Sequence, residues 1–513
     1  MSKKINIISF LIFSLFIVLV VSTQSSLQHW IGQWDLDFWY IYNASLMASG
    51  IEQEWYDHPA TTFLSLYSFF YKVYSLFDPS FVYKINEIMD SSDINLVLQK
   101  LYFVTRIFNS ISLIFIIFFT FKICKILSLK DIYRYFFILS FILSLTFADN
   151  ISILTAEAWS ILFFLISFYY FLRFFIENKI IFIILSGIFF LFSFYSKLSI
   201  LFIFIFIVPL IPVFFEIYST KNDSPILQSL EKNFQKLFGG YLALLLFYLL
   251  IQIFVLSKIS LLEKNAGLDV LIIFILNFSY MVFFLIFSKF NINKFKTYFS
   301  IFLLFLAGLF LGLLIFIILH FLNITTLNPW LIFHFTNPFN EMLQFVTSVN
   351  SSVSSTNLLN SMLNNLLRVF SNFHFDKFLF VGLFIIFLIS IFKDLKIGAN
   401  NYFLLKLILF TCLLINILIL NFRFFTQYLI FHHIIYIIVL SICFGNISNK
   451  IKNTFCVILF IYCMYYPIEN FNRFKGFLKT RVNYTLEHQC NKNSQFRVYA
   501  KQFTEETIKK LCN

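Results

Sequence analysis

Charged side chains are scarce in this chain of 513 residues: Asp, Glu, Lys and Arg make up 12% of it, whereas 60% is hydrophobic. Soluble domains carry about a quarter charged residues. A soluble chain of this length needs a polar surface, and these side chains are too few to provide one. The scarcity of charge excludes a cytosolic enzyme, a nucleic-acid-binding domain and a disordered protein. It leaves an integral membrane protein.

Glycine and proline are also few, at 12 and 8 residues. Transporters rely on small residues and broken helices more than other membrane proteins do. The sequence has no internal repeat and no obvious charge pair within an apolar run, so a lipid or sugar transporter is the least favoured function. No Gly-rich phosphate loop or dinucleotide fingerprint occurs in the sequence either, and nothing predicts a nucleotide-sugar domain.

The seven cysteines have no metal-ligand spacing. Five of them lie in or beside apolar runs and are interpreted as buried thiols. Cys490 and Cys512 lie in the polar tail, where they could pair if the tail is extracytoplasmic.

Long apolar runs dominate what is present, and each is long enough for a membrane-spanning helix of about 20 residues. We expect an all-α polytopic membrane protein with about 11 to 13 transmembrane helices, the first of them uncleaved. The predicted spans are residues 5–21, 101–121, 135–148, 158–172, 180–196, 198–215, 239–257, 270–288, 299–320, 378–392, 402–421, 425–444 and 453–467.

The net charge of +13 is explained by orientation. With the N-terminus inside, alternate threading puts most Lys and Arg clusters in cytoplasmic turns, as the positive-inside rule requires. The basic tail is the exception, because the threading puts it outside unless 453–467 is not a span. We divide the chain into a transmembrane domain, 1–467, and a small polar tail, 468–513.

Two outward loops are long, at about 23–100 and about 322–377 by the span prediction. The first contains the aromatic stretch 63–77, which is short for a span and favours a helix lying in the membrane interface.

Paired acids stand out in the first loop. Asp35 and Asp37 are surrounded by aromatic residues, a setting that raises carboxylate pKa values and suits a general base or a metal ligand. The alternative is solvated loop acids beside an interfacial aromatic belt. Asp57 and His58 follow before a proline. His58 could orient a carboxylate or help bind a metal, and the alternative is an ordinary turn.

Isolated cations thread to the same outer face. Arg106, Lys197 and Arg423 would suit a lipid-linked phosphate, or they could extend to lipid headgroups. Asp149 and Glu157 flank a short outer turn, where either could orient an acceptor or pair with a cation. His432 and His433 point about 100° apart on one helix, so we expect a structural role for them.

The order of these features resembles the GT-C superfamily of membrane glycosyltransferases, in the protein O-mannosyltransferase and aminoarabinose-transferase-like branch. The paired acids come first. They are followed by the segment Asn-Ala-Ser-Leu-Met-Ala-Ser-Gly at 43–50 and by His58-Pro59, where Ala60 replaces the family's second proline. Further matches are Arg106 opening the second span, Glu157 after the third, Lys197, and Arg423 with Tyr428-Leu429. The similarity covers about 1–210 and 415–445, and the rest matches only as generic spans.

The resemblance implies a GT-C fold, in which a helix bundle carries an outward cavity roofed by the first loop. It implies sugar transfer from a polyprenyl-phosphate donor to a glycan, lipid or protein acceptor, usually with inversion. Asp35 or Asp37 would be the general base, and the other would hold the acceptor or a divalent metal such as Mg or Mn. The implied substrate-binding residues are Asp57, His58, Arg106, Asp149, Glu157, Lys197, Arg423, Gln427 and Tyr428.

The implied location is a bacterial inner membrane with the active site on the periplasmic face, and no nucleic-acid partner is expected. The strongest rival is a polysaccharide polymerase or ligase of the O-antigen type, which would use His334, Arg368 and His374 of the late outer loop. The acids of the first loop argue against it, because that class has no need of them there.

Overall fold

The computed structural model describes residues 2–27, 29–30, 37–54, 61–152, 154, 156–197, 201–218, 225–256, 266–322, 374–420, 429–462 and 500–512. Every regular element in these ranges is helical, with no strand among them. This agrees with the all-α prediction. An apolar environment offers no water to free backbone groups, and a helix satisfies them within one segment.

The first-loop region and the helices before and after it come first along the chain. They are α1 (Ser2–Leu27), α2 (Asp37–Ala48), α3 (Thr61–Phe77), α4 (Ile85–Asp90), α5 (Ile94–Ile126), α6 (Asp131–Ile142), α7 (Leu145–Ser152), α8 (Ala156–Glu177), α9 (Ile180–Ser196) and α10 (Leu201–Tyr218).

The second half of the chain completes the bundle. Its helices are α11 (Pro225–Lys232), α12 (Phe234–Leu256), α13 (Ala266–Phe287), α14 (Ile292–Phe321), α15 (His374–Ile397), α16 (Asn400–Leu420), α17 (Leu429–Cys443), α18 (449–462) and α19 (Glu505–Cys512).

Three helices, α5, α8 and α14, are long and apolar enough to cross a membrane. Shorter apolar stretches occur in α1, α9, α10, α12, α13, α16 and α17. On α1 the residues Ile8, Leu11, Ile12, Leu15 and Leu19 are each more than half exposed. Such a continuous apolar stripe is costly in water and favourable against lipid. The chain is therefore a helical membrane protein.

Glycine brings α9 and α14 into backbone contact. A methyl group at Gly308 would overlap the carbonyl oxygen of Ile184, and one at Gly187 would overlap that of Phe305. Gly312 lies one turn further along the same face. Small residues four apart allow membrane helices to approach closely, so that dispersion contacts replace the hydrophobic drive that lipid removes.

Serine hydroxyls join α8 to α9. The Ser160 hydroxyl donates to the Ser193 carbonyl at 2.9 Å, and the Ser193 hydroxyl donates back to the Ser160 carbonyl at 2.6 Å. The Ser167 hydroxyl donates to the Ser186 carbonyl at 2.7 Å. These bonds fix the antiparallel register of the two helices. That register decides which side chains lie next to each other where α8 begins and α9 ends.

The bundle has two ends, about 27 Å apart along α5 between Arg106 and Cys124 by helical rise. At the first-loop end, where residues 37–90 pack, Tyr71 of α3 contacts Thr105 of α5. At the other end Cys124 accepts a hydrogen bond from Ser441 of α17 at 3.2 Å. This separation is close to the hydrocarbon thickness of about 30 Å.

Basic residues concentrate at the end away from the first loop, which we call the basic end. Lys130 and Lys393 lie close enough to Lys452 to act on it electrostatically, and Lys452 lies over the ring of Tyr133. Lys294 at the start of α14 pairs there with Glu216 at 2.7 Å. The clusters predicted for the cytoplasmic turns therefore share one end of the bundle.

One predicted span is part of a longer helix, and another is wrong in its bounds. The span 101–121 lies within α5, which begins at Ile94 with Asp93 as the N-cap. The span 135–148 is interrupted, because Ser144 accepts a hydrogen bond from the backbone of Phe147 and starts α7 as a separate helix. Ser and Asp side chains satisfy the free N–H groups of a first turn in this way.

The end of the chain returns to the first-loop end. Helix α18 begins at the basic end, where Asn453 accepts a hydrogen bond from Tyr133 at 2.9 Å. Residues 500–512 lie instead against α2, where the Lys501 amide donates to Glu54 at 2.8 Å. The chain therefore passes from one end of the bundle to the other between these segments. This supports the threading that puts the tail on the side of the first loop.

The α9–α14 contact predicts a large difference between two glycine substitutions. Gly308→Ala should lower the free energy of unfolding by about 1–3 kcal/mol, because the methyl group meets backbone that cannot move independently. Gly239→Ala, at a position on α12 with nothing within 4 Å, should leave stability equal or slightly higher. Thermal unfolding of both variants in the same detergent measures the difference. Equal melting temperatures would contradict the close crossing.

Candidate active site

An ion pair lies where α8 begins and α9 ends. Glu157 occupies the first turn of α8. Helix α9 ends at Ser196, and Lys197 follows as its C-cap. The Lys197 Nζ lies 2.8 Å from the Glu157 Oε1, with side chains 11% and 1% exposed. A carboxylate in a helix's first turn is favoured by the helix dipole. The prediction that Glu157 pairs with a cation is confirmed, and the cation is Lys197.

Arg106 lies within α5 and not at its start. Because α5 begins at Ile94, Arg106 is about 18 Å along the helix. Its side chain is 1% exposed, and its Nη2 donates to the carbonyl of Ile151 in α7 at 2.6 Å. The guanidinium also lies 5.2 Å from the centre of the Tyr102 ring, a favourable cation–π contact. Arg106 is held among helices, so it does not extend to lipid headgroups.

A buried amide joins the first loop to the bundle beside Arg106. The Asn109 Oδ1 accepts hydrogen bonds from the Tyr67 hydroxyl at 2.9 Å and from the Trp159 indole at 3.0 Å. One turn earlier, the Tyr71 and Thr105 hydroxyls lie 2.6 Å apart, and burial raises the pKa of the Tyr71 phenol. The sequence interpretation missed this cluster. Its signal is the polar pair Thr105 and Asn109, spaced i, i+4 around Arg106.

Helix α2 begins at Asp37, one of the two predicted catalytic acids. The Asp37 side chain is outside the described part of the structure, as is the whole of Asp35. From Phe38 to Ala48 every residue of α2 is buried. The segment 43–50 forms the last turn of α2 and the turn after it, where Gly50 has a φ of +81°, a conformation that glycine adopts at little cost.

Other predicted residues are distributed as follows. Asp149 lies inside α7 and not in a turn, with only its backbone described. His432 and His433 are both 1% exposed in α17, and the His433 ring packs against Phe141 at 6.1 Å. Residues outside the described ranges are Asp57, His58, His334, Arg368, Arg423, Gln427 and Tyr428.

Metal ligands do not cluster in the described part of the chain, where no three His, Cys, Asp or Glu side chains could hold one ion. Asp35 and the side chain of Asp37, the two acids predicted to hold a metal if one binds, lie outside that part.

A second buried ion pair was missed by the sequence interpretation, which found no charge pair within the apolar runs. The Lys406 Nζ lies 2.5 Å from the Asp394 Oδ2, and both side chains are fully buried. It also donates to Ser390 at 2.6 Å. The signal was an isolated lysine on α16, brought back onto α15 by the turn at Gly398. The pair is at the basic end, away from the first loop.

Comparison with models of known protein families, with curated proteins and with solved structures finds no match to this chain.

The buried Glu157–Lys197 pair predicts a stability difference between two lysine substitutions. Lys197→Met leaves Glu157 buried without its partner, which should cost about 3–5 kcal/mol. Lys294→Met breaks a pair whose lysine is 47% exposed, which should cost about 0–1 kcal/mol. Thermal unfolding of the two variants gives the comparison.

Adding Glu157→Gln to Lys197→Met supplies the internal control, because it removes the uncompensated charge and should recover most of the lost stability. A double variant as unstable as Lys197→Met alone would contradict the pairing.

Proposed function

We propose that this protein is a membrane glycosyltransferase of the GT-C type. It transfers a sugar from a polyprenyl-phosphate donor to a glycan, lipid or protein acceptor. It spans the bacterial inner membrane about 11 to 13 times, in line with its apolar runs, and its first-loop end faces the periplasm.

The observation that carries the proposal is a shared location. Arg106 and the Glu157–Lys197 pair lie at the end of the bundle where α2 packs, and α2 begins at Asp37. Ionisable residues inside a membrane bundle are expensive and usually mark a functional pathway. Sugar transfer from a phosphate-linked donor requires a carboxylate and cations close together. Both kinds of group lie at this end of the bundle.

The orientation follows from the basic end. Lys and Arg are retained in cytoplasmic turns, which supports a first-loop end that faces outside. Cys512 belongs to the segment at the first-loop end and is disulfide-bonded to a cysteine outside the described residues. Disulfides persist in oxidising compartments such as the periplasm, which supports the same orientation.

The chemistry is a single displacement at the anomeric carbon. Asp35 or Asp37 takes the proton from the acceptor hydroxyl or amine as that atom attacks, and the bond from the sugar to the phosphate oxygen breaks with its electron pair. Negative charge grows on the leaving phosphate, so cations held nearby stabilise the transition state more than the ground state. Lys197, Arg106 and Arg423 have this role, and Gln427 and Tyr428 bind the donor. Attack from the face opposite the leaving group inverts the anomeric centre.

Removing either acid tests the assignment. Purified protein is given a polyprenyl-phosphate sugar with an extract of cell-envelope acceptors, and released polyprenyl phosphate is measured. Loss of the general base should lower kcat by about 10²–10⁴-fold in Asp35→Asn or Asp37→Asn. Asp90→Asn is the matched control, because Asp90 is an exposed acid of the same loop. Full activity in both variants would refute the base. Loss of chain lengthening in Arg368→Ala instead would favour the polymerase.

Chelation separates the two roles of the acid pair. If the pair holds Mg or Mn, EDTA should abolish donor cleavage and either ion should restore it, because carboxylates are their usual protein ligands. If one acid is the base and the other holds the acceptor, EDTA should leave the rate unchanged.

A further inference from the structure

Residues 500–512 are tied to the first loop through one carboxylate. The Glu54 Oε2 accepts a hydrogen bond from the Tyr42 hydroxyl of α2 at 2.9 Å and another from the Lys501 amide at 2.8 Å. The Gln502 amide donates in turn to the Tyr42 hydroxyl at 3.2 Å. Glu54, α2 and residues 500–512 therefore form one hydrogen-bonded unit. Lys501 is 447 residues from Glu54 in sequence.

Apolar contacts reinforce this unit. The ring of Phe503 lies 5.3 Å from that of Tyr42 and 6.0 Å from that of Phe38, both edge-on, which is a favoured arrangement of aromatic rings. Phe503 is 6% exposed, and Ala500, Ile508 and Leu511 are buried with it. A segment with this much buried apolar surface is a docked part of the fold and not a solvated tail.

The Tyr42 hydroxyl stays protonated across the physiological pH range. Burial raises the pKa of the Tyr42 phenol, so the hydroxyl remains a proton donor to Glu54. Helix α19 ends at Cys512, whose disulfide fixes the end of the segment covalently. A hydrogen-bonded beginning, an aromatic anchor and a covalent end together restrict how far the segment can move from α2.

We propose that residues 500–512 form a clasp that sets the position of α2, and that Glu54 is its positioning residue. Phe38, which the clasp covers, directly follows Asp37. A shift of α2 therefore moves Asp37 relative to Arg106 and Lys197. The catalytic consequence rests on the proposed function, whereas the clasp itself does not.

The first experiment measures the clasp without reference to activity. Amide hydrogen exchange of residues 37–48 is compared in wild type, Glu54→Ala, Glu54→Gln and Cys512→Ser, each first checked for a single monodisperse peak. A hydrogen bond to a charged group stabilises the folded state. Its loss should therefore speed amide exchange in α2 about ten- to a hundredfold. Glu54→Gln keeps an acceptor oxygen and should recover part of the protection.

The control is Asp90→Ala, an exposed acid of the same loop, which should leave exchange in α2 unchanged. Exchange in α2 that stays at the wild-type rate in both Glu54→Ala and Cys512→Ser would overturn the clasp.

The second experiment measures donor cleavage in the same proteins. Glu54→Ala should lower kcat at least tenfold with little change in the KM for the donor, because Asp37 is displaced while Arg106 and Lys197 stay in place. Glu54→Gln should recover part of kcat. An equal rise in KM, or unchanged kcat, would overturn the positioning role. A wild type that cleaves no donor would overturn the proposed function and this catalytic role together, and the exchange result would still decide the clasp.

Discussion

A polar atom buried in an apolar bundle is costly without a partner, and this constraint decides which helices of the site meet. A buried group that lacks a hydrogen bond or counter-charge costs several kcal/mol in a medium that offers no water (about 2–7 for neutral groups). The serines of α8 and α9 meet this requirement against each other's carbonyls. Glu157 and Lys197 meet it as an ion pair, as do Asp394 and Lys406. Each of these polar residues therefore identifies a contact between two helices.

The same constraint separates the two ends of the bundle. Lysines and arginines of the turns gather at the basic end, where Glu216 and Asp394 balance some of them. The opposite end collects buried polar side chains and the aromatic first loop, which the Asn109 amide ties to α5 and α8. Catalysis on a lipid-linked substrate needs such a place, where charge is held at fixed positions beside the hydrocarbon and water is largely excluded.

Local sequence predicted the helices better than their contacts. The apolar run 180–196 coincides with α9, because apolar length alone defines such a helix. Apolar length did not predict the first turns of α5, because they contain polar residues. It also did not predict the break at Ser144, where a single hydroxyl starts a new helix. The sidedness of Arg106 and Lys197 was predictable from alternate threading. Their partners Ile151 and Glu157, and the contact between Glu54 and Lys501, depend on how distant segments pack, and hydropathy carries no information on that.

The central claim is that donor chemistry occurs at the first-loop end, on the side of the membrane opposite the basic end. Proteoliposomes with one orientation, established by protease access to the basic end, test it directly. A polyprenyl-phosphate sugar is supplied to one leaflet at a time, and released polyprenyl phosphate is measured. We expect release only when the donor is in the leaflet of the first-loop end. Release only from the leaflet of the basic end, or none from either leaflet, would contradict it.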